Sequence, residues 1–535
     1  MIAESSANRR LNAVRGSQGL APALAAASIA AVVGLTVLRL ADSPPMAQAL
    51  GQLVFIVSFV ALAIVDFRVS VTIAMVELAT YGAAGHWTLV AGVLSGRILM
   101  DGIVTLRALA MVALDWRRTG RLDLGRYGPH ALILALVLPG VWMTLGLLNG
   151  NRISDVFGDG NGMAFFAFAI VLIVLLQRGE GPWLRQSLLV ACAVSAVVTG
   201  LLILVTATGI VPMAGPLRRA LLEQLSFGGS FGYLPNGAYR LYLGSGIYLQ
   251  VGLALVTWRL LSGRPGLWPW ALFALLSADV IATYTRGFWL GSFLAVGLTL
   301  VLGAANLRRP TVILATSVLM FAVATGAGSI VGFSLPDYVL NRTASTLSLG
   351  PAQSPPPTSG PGGSSEPGAT LEPGSSAQPG ATAAPTADPG RDVAGEFSNE
   401  VRVVQIRVLA GHIIQRPIFG HGFGSIAPDY PYGQIYSYEL AYLDLMFKAG
   451  IVGLLLFLSF PLRLLLDAIR GRFGRLPIAN GVVSRETSVV VGIVAPLLVT
   501  GGTNPYLLAA FGLFPILATI AWLDPAGDDS ATGSR

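Results

Sequence analysis

The sequence predicts an all-α polytopic membrane protein, and three observations carry that prediction. Hydrophobic residues make up 54% of the chain and charged residues only 11%, where a soluble protein carries roughly a quarter charged residues. Apolar runs recur along the chain, close to the roughly 20 residues a helix needs to cross a bilayer. Between them, arginines cluster in alternate loops, the pattern of cytoplasmic loops under the positive-inside rule. One soluble core cannot hide this much apolar surface, so lipid is the solvent for most of it.

The net charge of +7 comes almost wholly from arginine, with Lys448 the only lysine. In this setting basic charge orients a membrane protein, and no nucleic-acid partner is expected. Cys192 stands alone in an apolar run, which excludes a disulfide within the chain. His86, His130, His412 and His421 are scattered without zinc or iron spacing, so neither a metal site nor a cofactor is expected.

Taken in order, Arg9, Arg10 and Arg15 precede a first apolar run from about residue 20 to 40, read as a retained helix and not a cleaved signal. Spans follow near 47–65, 69–84 and 97–114, and Arg117, Arg118, Arg121 and Arg126 then mark a cytoplasmic loop. Glu77, Arg97 and Arg107 weaken the early spans and read as an internal ion pair. Further runs lie near 130–148, 164–176, 187–208, 239–261, 268–283, 288–304 and 311–330, then 442–462, 488–500 and 507–523. The alternation closes with about 12–14 transmembrane helices and both termini in the cytoplasm. The expected organisation is a transmembrane bundle over 1–332, one large external loop over 333–441, further transmembrane helices over 442–523 and a cytoplasmic tail over 524–535. Within the loop, 351–390 holds ten prolines among Gly, Ser, Ala and Thr; with almost nothing apolar to bury it is predicted to be disordered.

Order resumes at about Val393 with an amphipathic helix. Arg402, Gln405, Leu409, His412 and Arg416 recur at spacings of three and four and share one face. Val404, Val408 and the Ile413/Ile414 pair are expected to rest on the membrane or on neighbouring helices. Arg407 lies about 140° from Arg402 on a helix of 3.6 residues per turn, so the two do not easily serve one ligand. Arg407 and Arg416 are either ligand contacts or interfacial arginines snorkelling to headgroups. Pro417 ends the helix, and Gly420, Gly422 and Gly424 follow in GHGFGS. The Lys-Ser/Thr ending of a Walker loop is absent, yet the alternate glycines let the backbone turn sharply and approach a substrate.

Glu439 opens the next span. It lies about 140° from Asp444, which is placed at i, i+4 with Lys448 as a helix-surface pair. Glu439 is then either an acid favouring a helix N-terminus or a chemical group. Arg286 in TYTRGFWLG sits between two spans with almost no loop and is expected to point inward. Arg240 follows FGGSFGYLPNGAY and is read as beginning a span.

These residues resemble the O-antigen ligase and O-antigen polymerase superfamily of bacterial envelope glycosyltransferases. TYTRGFWLG looks like its Ser/Thr-Arg-Gly signature. Arg402, ahead of PIFGHGFGS, is similar to the arginine preceding its Pro-x-x-Gly-x-Gly-x-Gly segment. ELAYLDLMFKAGIVGLLLFL resembles a helix start that often reads His-Asn-x-Tyr-Leu, with Tyr442 at the tyrosine, and TNPYLLAAFG resembles the closing span. The resemblance covers mainly 280–520. It implies transfer of a glycan from a polyprenyl-diphosphate carrier to an acceptor hydroxyl on a lipid, glycan or protein, without metal and with inversion, outside a bacterial inner membrane whose lipid surrounds the chain.

Arginines suit a departing diphosphate, because a guanidinium donates paired hydrogen bonds to developing negative charge. Arg286 and Arg402 are carried over in that role, with Arg240, Arg407, His412, Arg416, Gly422, Gly424 and Tyr442 as substrate contacts. Glu439 stands where ligases commonly place histidine; a carboxylate can act as the base if partial burial favours its protonated form, and the departure leaves ligase and polymerase both open. The alternative from another class is a secondary transporter or flippase for an anionic lipid or small molecule. Its pointers would be paired interrupted spans in two related halves, and no internal repeat is visible.

Overall fold

The computed structural model describes residues 22–31, 45–81, 96–207, 229–233, 239–262, 266–283, 285–303, 310–317, 393–431, 438–474, 485–502 and 504–523. The low-complexity stretch 351–390 and the tail 524–535 lie outside them. Among the described residues, the main helices are α1 (Pro45–Val65), α2 (Phe67–Tyr81), α3 (Gly96–Thr119), α4 (Gly128–Leu148), α5 (Ile153–Gln177, with a 3-10 turn at Phe165–Ala167), α6 (Gly181–Ala207), α7 (Ile247–Ser262), α8 (Leu267–Ala282), α9 (Arg286–Gly303), α10 (Val393–Gln415), α11 (Ala441–Gly474), α12 (Arg485–Gly501) and α13 (Ala510–Leu523). Five stretches are long and apolar enough to cross a membrane: α4, α5, α9, Gly181–Leu204 within α6 and Ala441–Arg470 within α11. Shorter apolar helices accompany them at Pro22–Ala31, Ala49–Val65, Leu267–Ala282, Glu486–Gly501 and Ala510–Leu523. The protein is an all-α polytopic membrane protein.

Burial sorts the spans. About 78% of the most apolar window of α5 is buried inside the protein, against 39% for α4 and 33% for α9, so α5 is ringed by helices while the others show a face to lipid. Aromatic side chains fill the space around it: Phe166 meets Phe457 and Phe460 edge-on at 5.9 and 5.7 Å, and Phe168 meets Phe514 at 5.6 Å. Small residues bring α9 and α12 close. Gly291 of α9 faces Thr500, Gly303 faces Ser488, and Gly492 of α12 faces Thr299. In lipid no hydrophobic drive holds helices together, so close backbone approach supplies the contact instead.

The expected internal ion pair is present between α2 and α3. Arg97 donates from Nη2 to Glu77 Oε1 and from Nε to Glu77 Oε2, both at 2.9 Å, with both side chains buried. Buried charges persist when paired in this two-point fashion. Arg107 does not join the pair; its Nε is buried without a hydrogen-bond partner.

One element departs from the prediction. Gly229–Tyr233 and Tyr239–Leu243 form an antiparallel hairpin, with Arg240 opposite Gly232. Arg240 therefore lies in a strand, and the following helix begins only at Ile247. Tyrosine, phenylalanine and leucine around an Asn-Gly turn signal favour a hairpin, and a hydropathy window merged that strand with the helix behind it.

Candidate functional site

The site is built where α10 meets the start of α11. Helix α10 turns Gln405, Leu409 and Ile413 into the protein. Gln405 Nε2 donates to Tyr430 Oη at 3.0 Å, and Leu409 and Ile413 cluster with Ala427, Tyr430, Tyr438 and Phe447. The tyrosine hydroxyl gives the buried amide nitrogen a partner, which lipid cannot do. The neighbouring helix receives the expected residues: Ile413 is buried with Phe447 of α11, Val404 and Val408 flank the same cluster, and Ile414 is 78% exposed. The face bearing Arg402 is the protein-facing one.

That orientation brings Arg402 to Glu439. Arg402 Nε lies 3.2 Å from Glu439 Oε2, with side chains 27% and 47% exposed. The pair is ionic without an aligned hydrogen bond at Nε. Arg407 points out to the surface, as its helical phase requires.

Behind the pair, residues 417–425 form a ribbon seated in the bundle, and a break in α11 makes the seat. Gly450 has φ 65° and ψ −172° inside an otherwise continuous helix. The break frees backbone groups on both sides of it. The Phe447 and Lys448 carbonyls accept from the N–H groups of His421 and Gly422 at 3.0 and 2.8 Å. The Ile451 and Val452 N–H groups donate to Pro417 and Ile418 oxygens at 2.9 and 3.2 Å. Helix α4 holds the other edge: Phe423 N–H donates to Trp142 O at 2.9 Å, and Trp142 Nε1 donates to Phe419 O at 2.8 Å. Beyond α4, Asn149 and Asn151 donate from Nδ2 to the His421 and Phe423 carbonyls at 2.8 and 2.9 Å.

The glycines of the ribbon have positive φ of 68°, 87° and 75° at Gly420, Gly422 and Gly424. Their bare backbones approach protein: Gly420 faces the Lys448 carbonyl group, Gly422 the backbone of Gly146 and Gly424 that of Val156. Alanine at Gly422 would overlap the Gly146 nitrogen, and its left-handed backbone alone costs about 1–3 kcal/mol. Gly422→Ala is therefore expected to lower the thermal midpoint in detergent, while Gly140→Ala in α4, which has open space at its Cβ, leaves it unchanged. Equal midpoints for the two variants would refute the tight seat.

The Asp444–Lys448 pair forms as expected but not on a helix surface. Lys448 Nζ lies 3.0 Å from Asp444 Oδ1 and 2.9 Å from Asp159 Oδ1, with Lys448 and Asp444 only 2% exposed. Asp159, on α5, also accepts the Gly424 N–H through Oδ2 at 2.7 Å. The ribbon, α5 and the upper part of α11 thus share one buried ionic junction. Packing of α11 against α5 and the ribbon covers a face that sequence spacing leaves undetermined.

The remaining predicted residues fall around this frame. His412 Nε2–H donates to Asp429 Oδ1 at 2.6 Å and holds that carboxyl below the usual carboxylate range. The stabilisation is complete above the ordinary value of 3.8 and lost as pH falls through the lower folded value; with Asp429 61% exposed it is small. Burial pushes the Tyr438 phenol above its ordinary range. Arg416 is exposed. Tyr442 donates its hydroxyl to the Leu498 carbonyl at 2.5 Å and so ties α11 to α12. Arg286 heads α9 half-buried, and two residues on Phe288 stacks on Tyr506 at 5.7 Å. The start of α9, which carries Arg286, therefore abuts Tyr506, and the start of α11, two residues after Glu439, abuts Leu498.

Asp159, Trp142, Asn149 and Asn151 were not anticipated. Asp159 falls between the apolar runs 130–148 and 164–176, and only the structure extends α5 back over it; nothing local links the other three to a ribbon some 270 positions away in sequence.

Compared with known proteins, the chain matches no curated protein. Residues 271–458 match the family model described as Wzy_C, O-antigen ligase. The matched residues run from α8 to the middle of α11 and include Arg286, the Arg402–Glu439 pair, the glycine ribbon and the break at Gly450. Over this stretch, about a third of its length, the chain is similar to the O-antigen ligase family.

Proposed function

We propose that the protein transfers a glycan from a polyprenyl-diphosphate carrier to an acceptor hydroxyl, in a single inverting displacement that needs no metal, on the external face of a bacterial inner membrane. The observation that carries the reading is the Arg402–Glu439 pair, a base and a fixed cation 3.2 Å apart inside the matched domain. The acceptor oxygen attacks the anomeric carbon as the bond from that carbon to the phosphate oxygen breaks. The electron pair leaves with the diphosphate, and the acceptor proton passes to Glu439. The Arg402 guanidinium, whose Nε faces Glu439, donates from its Nη groups to the leaving diphosphate, and Arg286 adds a second cation. Arg240, His412, Arg416 and Tyr442 complete the proposed substrate contacts. Gly422 and Gly424 serve by setting the ribbon's path between α4, α5 and α11.

The experiment is reconstitution in vesicles with a polyprenyl-diphosphate-linked glycan and an acceptor glycolipid. Transfer that persists in EDTA, with the anomeric configuration reversed by NMR, is the expected result. Loss of transfer on chelation, retention of configuration, or flux of the donor across the membrane with no transfer would each overturn part of it; the last would favour a flippase.

A further inference from the structure

We propose that residues 414–423 form a re-entrant element that dips into one leaflet of the bilayer, with Ile414, Ile418 and Phe419 packed against lipid acyl chains.

Depth is the first argument. The ribbon is hydrogen-bonded to Ile451 and Val452, and Ile451 lies ten residues into α11, about 15 Å of helix at 1.5 Å per residue. The hydrocarbon core is only about 30 Å thick. On its other edge the ribbon bonds to Trp142, six residues, or about 9 Å, short of the end of α4. The 21 residues of α4, about 31 Å of helix, match that thickness, so a spanning α4 carries the residues bonded to Trp142 below the surface.

Backbone chemistry is the second. Non-helical backbone is tolerated at membrane depth only where protein satisfies its polar groups. The carbonyls of Pro417, Ile418, Phe419, His421 and Phe423 all accept from protein donors, and the N–H groups of Gly420 through Gly424 all donate to protein acceptors.

The side chains give the third. While most of the ribbon's backbone is engaged, Ile418 and Phe419 are 56% and 54% exposed, and Ile414 more so. This apolar surface continues without a break onto α11, since Ile418 accepts from Val452, next to the exposed Ile451, and Leu455 is exposed one turn on. Because α11 crosses the bilayer, what covers Ile451 and Leu455 is lipid, and the same medium reaches Ile418 and Phe419. Arg416, exposed at the edge of the patch, can extend its guanidinium to the headgroups. The inference needs only that α4 and α11 span the membrane, and is independent of the transferase reading.

Cys192 is the only cysteine, so single-cysteine probes can be placed in a Cys192→Ala background. Spin labels at Ile414→Cys, Ile418→Cys and Phe419→Cys would be compared with Leu455→Cys on α11 and Pro428→Cys in the loop, in phosphatidylethanolamine–phosphatidylglycerol vesicles without substrate. The expected result is that the three sites match Leu455, with relaxation enhanced by oxygen and little affected by a water-soluble nickel complex. Sites that instead match Pro428 would overturn the proposal, and so would sites shielded from both reagents, which would mean a protein partner covers the patch. In the unmodified protein, a diazirine on a phospholipid acyl chain should label the peptide containing 414–419; labelling of α11 without that peptide would equally overturn the proposal.

Discussion

Alanine at Arg402 or at Glu439 is expected to lower glycan transfer by about 100-fold or more, with almost no loss of folded protein. The two parts of this expectation have different physical sources. The pair is partly solvated, and such surface ion pairs contribute only about 0–1 kcal/mol, so insertion and thermal midpoint should barely change. A positioned base is worth about 10²–10⁴ in rate, and a cation on the leaving group adds to that. Glu439→Gln keeps shape and loses the base, so it should fail nearly as badly as Glu439→Ala. Arg402→Lys keeps charge but loses the planar fork that matches phosphate, and should recover only part of the rate. The double exchange Arg402→Glu with Glu439→Arg re-forms an ion pair; restored transfer in that variant would mean the pair is only structural. Wild-type transfer by Arg402→Ala, Glu439→Ala and Arg286→Ala alike would end the transferase reading.

The second large effect is expected at Lys448. Replacing it with methionine leaves the buried Asp444 and the nearby Asp159 facing each other without the ammonium between them. Removing one partner from a buried charge cluster typically costs about 3–5 kcal/mol. The loss should reach beyond α11, because Asp159 also holds the Gly424 N–H. Lys448→Met should therefore unfold at markedly lower temperature in detergent and accumulate poorly. Adding Asp159→Asn and Asp444→Asn removes the stranded charges and should recover much of the midpoint. A Lys448→Met protein as stable as the parent would show that the junction does not hold the ribbon.

Several of these features are legible in the sequence alone. Pro417 marks the end of α10 because a proline cannot continue a helix, and α10 does stop at Gln415. Glu77 and Arg97 had to find each other because isolated charges are too costly in early spans. Helical phase separated Arg402 from Arg407, and the structure keeps them apart. The second strand of the hairpin was missed although an Asn-Gly turn signal precedes it, because Tyr239–Leu243 runs on almost directly into the apolar helix behind it. The burial of Lys448 was equally hidden: spacing predicts which residues on one helix meet, and says nothing of what lies against them.

The sequence by itself determined the class of the protein, the polar segment that carries Arg402 and Glu439, and the glycines where its backbone had to turn. These follow from local rules: apolar runs need lipid, proline ends helices, and positive φ favours glycine. Only the tertiary structure decided that Arg402 meets Glu439, that the ribbon docks into a break in α11, and that Asp159 closes a buried junction with Lys448. Each of those joins residues from separate helices, and the free energy that selects them comes from backbone groups and charges that must be satisfied away from water. That requirement acts across the whole bundle at once, so no local stretch of sequence records it.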